Sequence, residues 1–259
     1  MSTSDRATAA PPAFLRLAAH PVRWRLMAEL AESDLRVREL ADRVGEPQNL
    51  VSYHLRALRD GGLITSRRSS HDGRDSYYRL DLSRCAAALA DSGAALHPAL
   101  ARGGAPAGRG SRHVAVLFVC TGNSARSPIA QAALRNHAPE HVAAASAGIR
   151  PRPSLHPQAI QVLRERFGID ISDQRPQRLD VHAGHGFTHV ITLCDSAREA
   201  CLVFPDHPWR AHWSMPDPAA AGGSEEAAYA AFGRTTAEID TRVRQLLPVL
   251  ATDSSEVRP

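Results

Sequence analysis

The sequence predicts a two-part chain: a mainly helical N-terminal half carrying a helix-turn-helix and a β wing, then a C-terminal α/β half built on parallel strands. Three observations predict it. First, residues 14–58 hold short apolar stretches at helical spacing, punctuated by Pro and Gly, and two alternating stretches follow them. Second, the segment around Gly103-Gly104-Ala105-Pro106-Ala107-Gly108-Arg109-Gly110 has no apolar period and the composition of a flexible spacer. Third, Val114-Ala115-Val116-Leu117-Phe118-Val119 is an apolar run without helical period, the pattern of a strand covered on both faces. Charge divides the same way. Through residue 112 there are 17 Arg against 12 acidic residues, and beyond it 14 against 15, in a chain without Lys. The basic excess of the first half points to a polyanionic partner there.

Taken in order, an Ala/Pro-rich leader runs to about Pro12, followed by a helix around Phe14–Ala19. His20-Pro21 opens a second helix, Val22–Ala31, with Trp24, Leu26, Met27 and Leu30 available for a core. Val37–Val44 reads as a short helix closed by Gly45, and Glu46-Pro47-Gln48-Asn49 starts the next, which runs to Gly61-Gly62. Two short helices joined by a tight Gly-containing turn make a helix-turn-helix whose second helix can enter a major groove. Leu63-Ile64-Thr65 and Ser76-Tyr77-Tyr78-Arg79-Leu80 then alternate like strands around His71-Asp72-Gly73-Arg74-Asp75, a hairpin or wing. Arg67, Arg68 and Arg74 lie along it, suited to phosphates. Ser83–Leu96, with Cys85, Leu89 and Leu96, reads as a closing helix.

In the second half, the strand ending at Val119 leads into Cys120-Thr121-Gly122-Asn123-Ser124-Ala125-Arg126-Ser127, and Pro128 is expected to open a helix. Gly122 and Asn123 tolerate the positive φ of a tight loop. Such a loop turns successive N–H groups toward one point at a helix N-terminus, which suits a tetrahedral oxyanion. Arg126 adds a bidentate cation, and the same positive field suits Cys120 to act as a nucleophile. Val142–Ala145 with Ser146-Ala147-Gly148 reads as a second strand and turn; Ile160, Val162, Leu163 and Phe167 mark a helix ending at Gly168. His189–Leu193 is another apolar strand, ending at Cys194. Met215-Pro216-Asp217-Pro218-Ala219 holds an Asp between two prolines, which restrict its backbone. Asn123 and Gln131 are candidates for a polar network behind the loop. His182, His185, His189, His207 and His212 show no metal-ligand spacing and read as surface or capping groups.

The four cysteines are Cys85, Cys120, Cys194 and Cys201. With no signal peptide and no long apolar segment, the chain reads as cytoplasmic, where stable disulfides are rare and cysteines point to metal or redox chemistry. If residues 195–201 were helical, Cys194 and Cys201 would stand about 10 Å apart along the axis. A disulfide needs Cα atoms roughly 5.5–6 Å apart. The pair can bridge only if the segment unwinds, so a two-turn helix over 195–201 that loops out on oxidation is expected.

The run from Cys120 to Pro128 resembles the signature loop of the low-molecular-weight protein tyrosine phosphatases, and more closely the arsenate reductases that share their fold; the resemblance extends from about Arg112 to Leu250. It implies a three-layer α/β domain with a four-stranded parallel sheet. It also implies Cys120 as nucleophile, an oxyanion cradle from Thr121 to Ser127 with Arg126 as its cation, and Ser127 steadying the thiolate. Asp217 matches the acid that protonates the leaving oxygen. Many relatives carry a second Cys where this chain has Ala125, and the phosphatases commonly follow Asp-Pro with Tyr where this chain has Ala219. The second departure tilts the substrate toward a small inorganic anion. Thr192-Leu193-Cys194-Asp195 through Cys201 to Val203-Phe204-Pro205 resembles the redox segment of thioredoxin-coupled arsenate reductases. That implies a relay from Cys120 to Cys194 to Cys201, emptied by an external dithiol (thioredoxin or a small thiol), with no bound cofactor and no metal.

The first half resembles the ArsR family of winged-helix repressors, through Leu35-Arg36-Val37-Arg38-Glu39-Leu40-Ala41 and Gln48–Leu58. The resemblance implies operator DNA as partner and a homodimer through this half, with Gln48, Asn49, Ser52, His54 and Arg56 as contacts on the recognition helix. The Cys pair that arsenite-sensing members often carry is absent from Glu29-Leu30-Ala31-Glu32-Ser33-Asp34-Leu35. The expected organisation is a winged-helix domain over 12–98, a linker over 99–112 and a reductase-like domain over 113–251. The expected function is arsenate reduction, with residual phosphatase activity, fused to a DNA-binding regulator. The rivals are a tyrosine or small-phosphomonoester phosphatase on the same loop, and a repressor that senses an oxyanion without turnover.

Overall fold

A computed structural model describes residues 10–71, 73–96, 114–182, 184–200, 204 and 208–253. The expected linker, Cys201, His207 and Asp72 lie outside the described residues. The chain forms two compact units.

The first unit contains α1 (Ala13–Ala18), α2 (Pro21–Glu32), β1 (Leu35–Arg36), α3 (Val37–Val44), α4 (Gln48–Asp60), β2 (Ile64–Arg68), β3 (Ser76–Leu80) and α5 (Leu82–Leu96). Each boundary has a local cause. The His20 ring accepts a hydrogen bond from Val22 N–H at the start of α2, where Pro21 lacks a donor to satisfy. Glu39 reaches back to the Arg36 N–H at the start of α3, and Gly45 ends that helix in the left-handed region at φ 67°. Leu26, Leu35, Leu40, Val51, Leu55, Leu58 and Ile64 form the core between the helices and the wing. The two-residue strand β1 was not read from the sequence; it pairs antiparallel with β3, Leu35 opposite Tyr78, and makes a three-stranded sheet ordered β1-β3-β2. Trp24, expected in the core, is 59% exposed. Its position on α2 faces away from the stripe set by Leu26, Met27 and Leu30.

The second unit contains β4 (Val114–Cys120), α6 (Arg126–His137), β5 (Val142–Gly148), α7 (Pro157–Phe167), β6 (His189–Thr192), α8 (Asp195–Glu199), β7 (Trp209–His212) and α9 (Glu225–Asp253). Its sheet is four-stranded and all parallel, ordered β5-β4-β6-β7. β4 is central, and Val116, Leu117, Phe118 and Val119 are fully buried, as a strand covered on both faces requires. Helix α6 starts at Arg126, two residues before the expected Pro128, which sits instead within the first turn where its missing N–H costs nothing. Two histidines expected at the surface are buried: His189 in β6 and His212 in β7. Helix α8 stops at Glu199, a single turn rather than the two expected. Among the described residues no helix is long and apolar enough to cross a membrane.

Candidate active site and nucleic-acid interface

The carboxyl ends of parallel strands are where open α/β sheets hold ligands. Here β4 ends at Cys120, and the chain turns through Thr121–Ala125 into α6. The carbonyls of Cys120, Thr121, Gly122 and Ser124 all accept backbone N–H groups from the following segment: those of Ile149, Arg150, Arg152 and His156, at 2.8–3.1 Å. With its carbonyls held outward, the loop presents its N–H side inward. The Asn123 N–H lies 3.2 Å from Cys120 Sγ.

Asn123 is the only non-glycine with positive φ among the described residues, at 45°. Its side chain offsets that cost with three hydrogen bonds. Nδ2 donates to the hydroxyls of Ser127 and Ser146, each at 2.9 Å, and Oδ1 accepts from Gln177 N–H at 2.7 Å. The Gln131 amide meets Ser146 at 2.6 Å, so the network expected behind the loop is formed by both residues named for it. Ser127 Oγ lies 3.0 Å from Cys120 Sγ, one hydroxyl linking thiol to network.

The Arg126 side chain is buried at the mouth. One terminal nitrogen donates to the Met215 carbonyl at 3.2 Å and the other pairs with Asp217 at 3.3 Å. Its Nε is buried with no partner among the described residues. An unsatisfied charged donor costs more than a neutral one, unless an anion is there to receive it. Asp217 is half exposed and caps the short helical turn Pro218–Ala220 by accepting from Ala219 N–H.

Cys194 follows β6, the strand next to β4, so the two cysteines stand at adjacent strand ends. Its Sγ lies 3.2 Å from Thr121 Oγ1. Burial pushes the Cys194 thiol up, with Arg126 and the Thr121 hydroxyl pulling partly back. The next residue, Asp195, is fully buried, and sequence reading gave it no role. Burial works against its charge, yet hydrogen bonds accepted from His212 (3.1 Å) and Ser214 (2.6 Å) hold its carboxylate far below the usual range. The signal that could have found it is an Asp directly after a strand-ending Cys, with a His at another strand end to meet it.

Two family models match the chain. That of the low molecular weight phosphotyrosine protein phosphatases matches residues 115–256, and that of the bacterial regulatory proteins of the arsR family matches residues 20–66. The first covers more than half the sequence. The chain belongs to the low molecular weight phosphotyrosine protein phosphatase family. Among its relatives in that family, the arsenate reductase of Bacillus licheniformis is 40% identical over 130 residues, covering 50% of this chain and 92% of that protein. The arsenate reductase of Bacillus subtilis is 37% identical over the same span and coverage. A crystal structure of arsenate reductase from Archaeoglobus fulgidus shares 32% identity over 51% of this chain and 98% of that one, with a TM-score of 0.42. The phosphatase-family unit is thus fused to an arsR-family helix-turn-helix.

In that helix-turn-helix, Gln48, Asn49, Ser52 and Arg56 are exposed on α4. His54, expected beside them, is instead buried, its ring 4.4 Å from that of His20. Position 54 falls three after Val51 and four before Leu58, on the inward face of the helix. Tyr53, which sequence reading passed over, is 66% exposed on the same helix. On the wing, Arg68 and Arg74 are exposed and Arg67 half-buried, and an Arg68 terminal nitrogen donates to the Gly73 carbonyl at 2.9 Å.

Proposed function

We propose that the second unit reduces arsenate to arsenite by a thiol relay, and that the first binds operator DNA as a homodimer. The observation that carries the relay is the placement of a second buried thiol, Cys194, within hydrogen-bond distance of the oxyanion loop at Thr121. A phosphatase needs no such thiol.

In the proposed sequence the loop amides of Thr121–Ser127 and the Arg126 guanidinium hold arsenate, and the Cys120 thiolate attacks arsenic. The arsenic–oxygen bond breaks, Asp217 supplies the proton, and water leaves a Cys120–arsenic(V) adduct. The Cys194 thiolate then attacks the Cys120 sulfur. A sulfur–sulfur bond forms, the sulfur–arsenic bond breaks, and its electron pair stays on arsenic, which leaves as arsenite. Cys201 attacks Cys194, releasing the Cys120 thiolate and leaving a Cys194–Cys201 disulfide. An external dithiol, thioredoxin or a small thiol, reduces that bond in the cytoplasm. No bound cofactor is needed.

On DNA, Gln48, Asn49, Ser52 and Arg56 contact the major groove and Arg67, Arg68 and Arg74 the phosphates. Leu89 and Leu96, 54% and 72% exposed on α5, supply the apolar face of the dimer.

The test is arsenate-dependent oxidation of a dithiol, measured beside hydrolysis of a chromogenic phosphomonoester, in wild type, Cys194→Ser and Cys201→Ser. Both variants should lose multiple-turnover arsenate reduction and keep residual hydrolysis. Arsenate turnover that survives Cys201→Ser, or phosphatase turnover alone, overturns the reductase reading.

A further inference from the structure

The anion loop has a second arginine beside it that the relay does not use. Arg152 donates its backbone N–H to the Gly122 carbonyl at 2.9 Å, which fixes its Cα against the loop. Its side chain then runs over Gly122. A Cβ added at Gly122 would stand 3.0 Å from Arg152 Cγ and 3.9 Å from Arg152 Nε, so the arginine occupies the space a side chain at position 122 would need. Arg152 is exposed and forms no ion pair with a carboxylate among the described residues.

The charge balance at the mouth makes this placement consequential. Arg126, the cation built into the loop, is already paired with Asp217 at 3.3 Å. A doubly charged oxyanion entering the loop therefore meets a site whose own cation is compensated by a carboxylate. Amide dipoles offset part of the second charge. A guanidinium on the Gly122 side that pairs with no carboxylate among the described residues offsets more, and its planar fork can meet two oxygens at once.

We propose that Arg152 is a specificity-determining residue of this site, a second cation that favours doubly charged tetrahedral oxyanions over singly charged ones. The proposal rests on the reading of the loop as an oxyanion site, and not on the relay that follows. Because Arg152 is exposed, its contribution is that of a solvent-screened pair, about two- to five-fold in affinity, and it weakens as salt rises.

The test uses the full chain and inorganic phosphate as probe. Phosphate protection of Cys120 from iodoacetamide, read by mass spectrometry on the Cys120 peptide, gives a dissociation constant without any turnover. Arg152→Met keeps the aliphatic stem over Gly122 and removes the charge, while Arg152→Lys keeps a charge. At low salt Arg152→Met should weaken protection by about three-fold, with Arg152→Lys close to wild type and the gap closing near 0.5 M NaCl. Across pH 6–8, where phosphate passes from monoanion to dianion, the wild-type advantage should grow. The arsenate KM should rise by the same factor with kcat within two-fold. Equal protection by all three proteins, a gap indifferent to salt, or a loss confined to kcat would overturn the proposal. Absence of arsenate turnover with Arg152-dependent phosphate protection would sink the reductase reading and leave this one standing.

Discussion

Thr121 Oγ1 and Cys194 Sγ lie 3.2 Å apart, so the Cys120–Arg126 loop is hydrogen-bonded to a thiol on the neighbouring strand end. That thiol is buried, and burial pushes it up from its ordinary range while Thr121 pulls it partly back. Below that range Cys194 is a neutral thiol, and the fraction able to attack grows about ten-fold per pH unit. In single-turnover experiments with arsenate, Cys120–Cys194 disulfide formation should therefore accelerate with pH through 7–9. Thr121→Val keeps the shape and removes the hydroxyl; it should slow disulfide formation several-fold and move its pH profile upward. A profile identical to wild type would show that the contact has no part in activating Cys194. Linkage gives a stability consequence of the same sign for Cys85, which burial first and Asp81 second also push up. Below the ordinary thiol range both folded and unfolded chains keep these protons. Above about pH 9 the unfolded chain releases them first, so stability should fall there.

Asn123 holds a backbone conformation that other residues adopt at a cost, and it links the loop to Ser127, Ser146 and Gln177. Asn123→Ala removes these bonds and leaves buried partners unsatisfied. The expected loss is about 2–4 kcal/mol of stability in the second unit, read by chemical denaturation. Asn123→Gly relieves the backbone but not the network, so it should recover only the backbone part. Both should slow alkylation or adduct formation at Cys120, because Ser127 Oγ loses the partner that orients it.

On α4, Arg56 is exposed and His54 buried, two residues apart. Arg56→Ala should weaken operator binding by about 1–3 kcal/mol without moving the thermal transition of the first unit. His54→Ala should do the reverse, lowering stability first and DNA affinity only through it. Burial depresses the His54 pKa, with His20 and Arg23 adding to the depression and Glu46 opposing it. A depressed histidine contributes stability that is present above about pH 6.5 and lost as pH falls below it. His54→Gln should flatten that acid limb, measured as the midpoint of chemical unfolding between pH 5 and 8.

The same two residues show where the sequence was legible. The order of helices, the wing, the Gly45 and Gly168 stops and the Cys120–Arg126 loop follow from local rules: period, capping and turn chemistry. Inward polar groups do not. His54, His189 and His212 are buried because a partner supplied by another element, His20, Trp209 and Asp195 respectively, meets each ring. No spacing within one helix or strand encodes such a partner. The two-residue strand β1 escaped for the same reason, since its pairing with Tyr77 and Tyr78 is long-range.

In the proposed relay Asp217 separates binding from chemistry. In the anion-free site its carboxylate neutralises Arg126 at 3.3 Å, and half its side chain faces solvent at the mouth. An incoming oxyanion must take over that guanidinium, so Asp217 opposes binding by charge, and in the proposed relay it must first take up a proton from solvent before passing it to the leaving oxygen. Asp217→Asn should move the two steps in opposite directions. Phosphate should protect Cys120 more tightly, by about two- to five-fold, because a competing carboxylate is gone. Adduct formation with arsenate should slow by about 10²-fold or more, because no acid remains to protonate the departing oxygen. Asp217→Glu, with the acid retained but displaced by one methylene, should fall between on rate and resemble wild type on protection. If rate and protection both fell together in Asp217→Asn, the carboxylate would be a scaffold rather than the acid, because Asn keeps an acceptor for the Ala219 N–H but loses the charge that holds the Arg126 guanidinium in place.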